Sequence, residues 1–379
     1  MDLHFLKDLT AHTGPFATVY LDASHDTEDA AHQAALRWGA ARGELDAHGA
    51  DGATLDALAR SVEEGTPAPG PAGRVLVAAG GEVLLDRMLP NPPEPAQAHW
   101  GPLPELLPML LDLPEPVAAV VVRVDETGGE ILLARSGGTP EPTEQVSGRG
   151  PVHKVSTGGL SELNVQEHVE ETWRRNVAEL AARVDAHVSA TAARVVVLAG
   201  DAPSRSRLRD ALSERAAGIA VDLEHGGDGG GGGTGDDDLA AAVAEAVLDV
   251  VDAERHAVLE HYEQAAGKQE GYAVDGLESV VAALRAEQVD TLLIDGSVAR
   301  DAELFYAAAA PTQVARDAEQ LRAIGAEPHG PAPADAVLVR AAVGADAVFH
   351  PLGGGRTGLV GHDVADGVAA LLRYPFVGT

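Results

Sequence analysis

The sequence predicts an α/β protein of three consecutive layered domains. Two observations carry that expectation. Short apolar runs of strand length recur along the chain, among them RVLVAA at 74–79, RVVVLA at 194–199 and VDTLLID at 289–295. Between them lie longer stretches whose apolar residues return every three or four positions, as one face of a helix requires. Strands alternating with helices are the pattern of sheets covered by helical layers. The spacing of the runs places the domains at 1–140, 150–266 and 268–379.

The elements follow in order. Residues 17–22 (ATVYLD) read as a strand, and 28–48 as a helix with Leu36 and Leu45 among its apolar positions. The run at 74–79 turns at Gly80-Gly81 into EVLL, a hairpin signature. Residues 117–124 and 130–134 flank Gly128-Gly129 as a second hairpin, with the Pro-rich PNPPEPAQ between the two hairpins as loop. Residues 136–150 are rich in Gly, Pro, Thr and Ser and read as a linker. A long helix follows, because Val165, Val169, Trp173, Val177, Leu180, Val184 and Val188 form one stripe. Residues 194–199 are a buried strand, 204–216 a helix and 218–223 a second strand. GGDGGGGGTG at 226–235 cannot pack and is a loop, since a single irregular copy lacks the tandem period of calcium-binding arrays. Asp236, Asp237 and Asp238 favour the start of a helix that runs to about 265. In the last domain, Leu277, Val280, Val281 and Leu284 mark an amphipathic helix and 289–295 a strand. Residues 311–324 are expected to be helix, 336–342 and 345–350 strands, and 367–374 a closing helix.

Composition narrows the function. Of 379 residues, 45% are hydrophobic but only 3% aromatic, so cores must be built from Val, Leu and Ala. The formal net charge of −32 argues against non-specific binding to nucleic acid, which needs cations to displace phosphate counterions. Any contact with RNA must use local basic patches; lysine occurs only at Lys7, Lys154 and Lys268. The absence of cysteine excludes disulfides, thiolate zinc sites and a Cys nucleophile. No stretch has the ~18–20 apolar residues of a spanning helix. The opening MDLHFLKDLTAHTG mixes acids, Lys and apolar residues, unlike a signal peptide. The expected location is the cytoplasm, without a membrane partner.

Enzyme signatures are missing. The chain has no G-x-S-x-G elbow, no H-E-x-x-H, no phosphate-binding P-loop and no dinucleotide fingerprint, and no cofactor is expected. The run 353–358 (GGGRTG) lacks the Lys-Ser/Thr pair that holds phosphate and magnesium. Asp22, His25 and Asp26 could ligate a metal, but Asp and Ser before a helix more simply cap it. Gly158-Gly159 stands between a strand-like segment and the long helix, where paired glycines open backbone conformations closed to other residues.

At this point distant segments resemble one family. Residues 156–173 (STGGLSELNVQEHVEETW) are similar to the start of the middle domain in the archaeal and eukaryotic release-factor/Pelota superfamily, where a Gly-Gly-Gln loop leads into a long helix. Residues 271–295 and the closing GVAALLRY resemble the start and end of the superfamily's C-terminal domain. The resemblance covers about 150–379. The N-terminal domain is unlike the stop-codon-reading domain, and the architecture is most similar to a bacterial, actinobacterial-type branch related to Balon-type ribosome hibernation factors.

The resemblance implies a ribosome-associated translation factor acting in hibernation, rescue or release. It would bind the A site with Ser156, Thr157, Gly158, Gly159, Leu160, Ser161 and Glu162 toward the peptidyl-transferase centre. A GTPase of the elongation-factor Tu type would be a second partner. Where release factors carry the water-positioning Gln, this chain has Leu160, so Gly-Gly-Gln hydrolysis is not expected. Two alternatives stay open: a peptidyl-tRNA hydrolase in which Glu162 orients water, and a non-ribosomal interaction module.

Overall fold

The computed structural model describes residues 1–24, 30–65, 70–93, 96–125, 128–135, 138–147, 161–223, 236–268, 270–296, 302–352 and 364–376, without the side chains of 30–31, 161–172 and 236. The N-terminal region runs α1 (Lys7–Ala11), β1 (Phe16–Asp22), α2 (Ala30–Ala47), α3 (Gly52–Glu64), β2 (Gly73–Ala79), β3 (Glu82–Leu89), β4 (Gln97–Gly101) and α4 (Leu107–Asp112). Its four strands form an antiparallel sheet ordered β3-β2-β1-β4. Gly80 and Gly81 close the β2–β3 hairpin at φ 59° and 83°, the left-handed pair that a tight two-residue turn demands. The two faces of β1 serve two cores. Ala17, Val19 and Leu21 pack with Leu45, Leu55 and Leu58 of the covering helices, whereas Phe16 and Tyr20 face a larger cluster.

The middle region comprises β5 (Ala118–Asp125), β6 (Gly128–Arg135), β7 (Glu141–Ser147), α5 (Ser161–Thr191), β8 (Val195–Gly200), α6 (Ala202–Ala211), α7 (Glu214–Gly218), β9 (Ala220–Asp222) and α8 (Asp236–Lys268). Its sheet is ordered β7-β6-β5-β8-β9, with β7-β6-β5 antiparallel and β5-β8-β9 parallel. Here the expected domain boundary needs correction. The second hairpin, assigned to a first domain of 1–140, pairs from Ala119↔Val195 to Val124↔Gly200 with β8, so the compact unit is Glu115–His256. The expected linker at 136–150 contains β7, which extends that sheet despite its Pro and Thr. The side chains of β5 alternate. Val120, Val122 and Val124 meet α5 and α6, while Ala119 and Val121 meet Leu239, Val243 and Val247 of α8.

The C-terminal region runs β10 (Ala273–Asp275), α9 (Leu277–Arg285), β11 (Val289–Ile294), β12 (Glu303–Ala307), β13 (Ala310–Ala315), α10 (Ala318–Ala323), β14 (Pro328–Pro333), α11 (Ala334–Gly344), β15 (Val348–Pro351) and β16 (Val368–Leu372). Sheets β10-β16-β11-β15 and β13-β12-β14 organise it. Three expectations fail here. The helix expected over 311–324 is strand β13 followed by α10, which restarts because the Asp317 side chain accepts from the Gln320 amide. The strand expected over 336–342 is helix α11, buried from Ala336 through Val343, so its apolar run shows no period. The helix expected over 367–374 is β16, held between β10 and β11 and fully buried.

The first and third expected domains are not separate bodies either. Residues Met1–Pro114 and Ala257–Thr379 form one compact unit. One apolar cluster contains Leu3, Leu6, Leu9, Phe16, Tyr20, Met109 and Leu110 together with Val337, Leu338, Phe349 and Val368. Asp2 bridges Val348, the Phe349 amide donates to the Met1 carbonyl at 2.9 Å, and Lys7 pairs with Asp346. Among the described residues no helix is long and apolar enough to cross a membrane.

Candidate functional site

The long helix after the glycine pair is the structural basis of the candidate site. Helix α5 has 31 residues, and at 1.5 Å per residue it spans about 46 Å. Its anchoring side chains are Val177, Leu180, Ala181, Val184 and Val188, all buried against the sheet and α6. This is the stripe that the sequence predicts from Val177 onward. The approach is close: a Cβ on Gly129 of β6 would stand 2.6 Å from Leu180 Cδ2. Glycine at that position lets the helix lie down on the hairpin.

Polar contacts fix the same half of the helix. Glu144 of β7 meets His187 at 3.0 Å and Arg183 at 3.6 Å. Asp185 accepts from the Ser213 hydroxyl at 2.7 Å, and the Ser213 Oγ in turn caps α7. At Trp173 the Arg207 guanidinium of α6 stacks 3.8 Å from the ring centroid. Such a pair contributes ~0.5–1 kcal/mol at an exposed site. The Trp was visible in the sequence as part of the apolar stripe. Nothing in the spacing of residues 204–216 marked Arg207 as its partner.

Of the predicted site residues, Ser156, Thr157, Gly158, Gly159 and Leu160 lie outside the described residues. Ser161 and Glu162 are the first two positions of α5, and their side chains are not described. The Gly-rich segments 226–235 and 353–358 also lie outside them. Of the alternative metal ligands, His25 and Asp26 are outside, whereas Asp22 is engaged otherwise. It pairs with Arg37 at 2.7 Å and accepts the Ser24 amide at 2.9 Å. Burial pushes its carboxyl up, but the Ser24 and Arg37 contacts outweigh that and hold it below its ordinary value. Among the described residues no cluster of three or more His, Asp or Glu could hold a metal ion.

Comparison with known proteins places this unit. Residues 118–268 match the model of bacterial archaeo-eukaryotic release factor family 2. Over 384 aligned residues the chain is 33% identical to an uncharacterized protein, MT2704, of Mycobacterium tuberculosis strain CDC 1551 / Oshkosh, covering 97% of this chain and 96% of that protein. The same figures hold for a protein of a second strain of that species. Residues 118–268 belong to this release factor family, and over 97% of its length the chain is a relative of the two mycobacterial proteins. The matched span opens at the first residue of β5 and closes at the last of α8. It thus takes in the whole five-stranded sheet, including the β5–β6 hairpin.

Solved structures of archaeal proteins are also similar. A crystal structure of an archaeal translation termination factor is 16% identical over 97% of this chain and 96% of its own, with a TM-score of 0.26. Archaeoglobus fulgidus Pelota is 16% identical over 80% of each chain, with a TM-score of 0.36. Archaeal Pelota, as seen ribosome-bound with ABCE1, is 15% identical over 80% of this chain and 78% of its own, with a TM-score of 0.40. All three superpose at TM-scores under 0.5, and the family assignment rests on the sequence matches.

Proposed function

We propose that this protein is a cytoplasmic, ribosome-associated translation factor that binds the A site without Gly-Gly-Gln hydrolysis. The observation that carries this reading is the family match over 118–268, the span that contains Gly158-Gly159 and the whole of α5. A segment of two glycines set directly before a long helix anchored through Val177–Val188 can be delivered into a confined site by movement of the helix as a body. Residues 156–162 are the part we assign to the peptidyl-transferase centre, and Leu160 in the place of the catalytic Gln points to occupancy rather than chemistry. We assign the protein to hibernation or rescue of idle ribosomes, in the branch related to Balon-type factors, with an elongation-factor Tu-type GTPase as its second partner. Sucrose-gradient profiles of starved cells test the reading. The protein should sediment with ribosomes, and Gly158→Pro with Gly159→Pro should weaken that association. A protein that stays in the soluble fraction under starvation overturns it.

Glu162, the second residue of α5, supports one further reading, hydrolysis of peptidyl-tRNA. General-base help of this kind is worth ~10²–10⁴ in rate. If the protein releases peptide at all, Glu162→Ala should slow release by at least 100-fold; release at the parent rate removes Glu162 from the chemistry.

A further inference from the structure

Beyond the family-matched unit, the C-terminal region carries a groove of about 490 Å³ that no step above uses. Its walls are the end of α9 at Ala282, Arg285 and Ala286, the loop residue Gln288, Gln313 on β13, Ile324 after α10, and Pro375-Phe376. The residues fall into two kinds. Ile324, 46% exposed, faces the groove with the half-buried Phe376 as an apolar floor and lip. Soluble surfaces leave such residues single more often than they gather them around a concavity.

The polar groups in the groove are unspent. Among the described residues Arg285 has no carboxylate or hydrogen-bond partner, although the chain carries a net charge of −32 and most of its other interior-facing arginines are paired. The neighbouring Arg373 shows the contrast: it donates to the carbonyls of Glu287 and Asp346. The Glu287 carboxylate, two residues beyond Arg285, accepts from the Thr312 hydroxyl at 3.1 Å. Gln288 Oε1 is buried without a hydrogen-bond partner. An unmet acceptor of this kind costs ~1–3 kcal/mol, which a donor from a ligand would recover.

We propose that this groove binds a short acidic peptide segment of a partner protein. A carboxylate of the segment pairs with Arg285, a backbone N–H donates to Gln288 Oε1, and a large apolar side chain packs on Ile324 and Phe376. Charge complementarity selects this occupant. Arg285 is a local inversion of sign on a strongly acidic protein, so a basic segment would be drawn elsewhere and an acidic one can settle only where a cation is unpaired. A groove of this volume accommodates a few side chains, which makes the occupant a linear segment rather than a folded face.

The test uses the full chain. Random dodecapeptides displayed on phage are selected on the native protein and counter-selected on Arg285→Glu. The enriched sequences should combine Asp or Glu with Leu, Ile, Phe or Met. A synthetic fluorescein-labelled copy of the most enriched peptide should bind with an affinity that falls as salt rises. Arg285→Glu and Ile324→Asp should each weaken it at least tenfold. Both side chains are surface-accessible, and an unchanged circular dichroism melt separates lost binding from lost fold. Gln288→Leu should weaken binding less than Arg285→Glu while leaving the melt unchanged or raised. Failure to enrich any sequence dependent on Arg285, enrichment of basic or purely apolar peptides, or equal binding by Arg285→Glu overturns the proposal. None of these outcomes bears on whether the protein sediments with ribosomes.

Discussion

At Gly129 the packing of the whole middle unit depends on one missing methyl group. A Cβ there meets Leu180 Cδ2 at 2.6 Å and the Arg123 carbonyl at 2.9 Å, and the second of these is backbone that cannot swing aside. Gly129→Ala should therefore destabilise the unit by ~1–3 kcal/mol, the usual cost of overpacking, read as a lower midpoint in urea. Tyr262 of α8 gives a second single-residue prediction. It is 8% exposed in a small core with Leu293 and Leu371. Burial, with help from the Asp275 carboxylate, pushes its hydroxyl up to about 12. The folded state therefore keeps a proton that the unfolded chain loses near pH 10. Its contribution to stability is complete below that pH and disappears as pH rises toward 12. Tyr262→Phe should flatten the loss of stability between pH 10 and 12, measured by denaturant titration at several pH values. A slope equal to that of the parent protein would show that other groups control the alkaline limb.

At the scale of elements, α5 shows what periodicity can and cannot reveal. The stripe from Val177 to Val188 was legible because its face is half polar: the 3.6-residue period exists only where one side meets water. Helix α11 has no such side. Nine of its residues from Ala334 to Val343 are buried, Arg340 included, and a run that is apolar all round reads equally as a strand. Strand β16 failed in the opposite direction for the same reason. Flanked on both edges and covered on both faces, VAALL alternates in nothing. The candidate site is a sequence motif, Gly158-Gly159 ahead of a long helix, because glycines and a helix start leave local marks; of that motif the structure describes the helix. The partners that hold the helix, Glu144 with His187 and Arg207 with Trp173, are brought together by tertiary structure across 43 and 34 positions of sequence, and no local rule reports them. The helix itself invites a direct test. Leu180 is 1% exposed at the centre of the stripe. Leu180→Ala should cost ~2–5 kcal/mol by analogy with other buried leucines, detected as a lower unfolding midpoint of the unit. If α5 is the arm that delivers residues 156–162, the same variant should also weaken ribosome association when assayed below its melting temperature.

At the scale of the whole molecule, chain order and folding units disagree. Unit Glu115–His256 has cores of its own on both faces of its sheet, whereas Met1–Pro114 shares a core with Ala257–Thr379. The middle fragment, residues 115–256, should fold when expressed alone and give a dispersed amide spectrum. Residues 1–114 alone should not, because Leu3, Leu6, Leu9, Leu106 and Leu110 would lose their partners on α11 and the C-terminal sheet. A cooperative melt from the isolated 1–114 fragment would contradict its dependence on the core it shares with the C-terminal region.

The bridge between Asp2 and Val348 has a consequence in time. Synthesis proceeds from the first residue onward at ~5–20 residues per second, so the roughly 350 residues between the two sides of that contact take on the order of 20–70 s to emerge. Throughout that interval the leucines of the first turn wait without the helix and strand that will cover them, while the middle unit, complete in sequence, can already close. The nascent chain therefore passes through a state in which residues 115–256 are folded and the apolar side chains of residues 3–9 are uncovered. For such a chain the demand on cellular folding assistance falls on residues 3–9 and lasts until residues 337–349 have emerged.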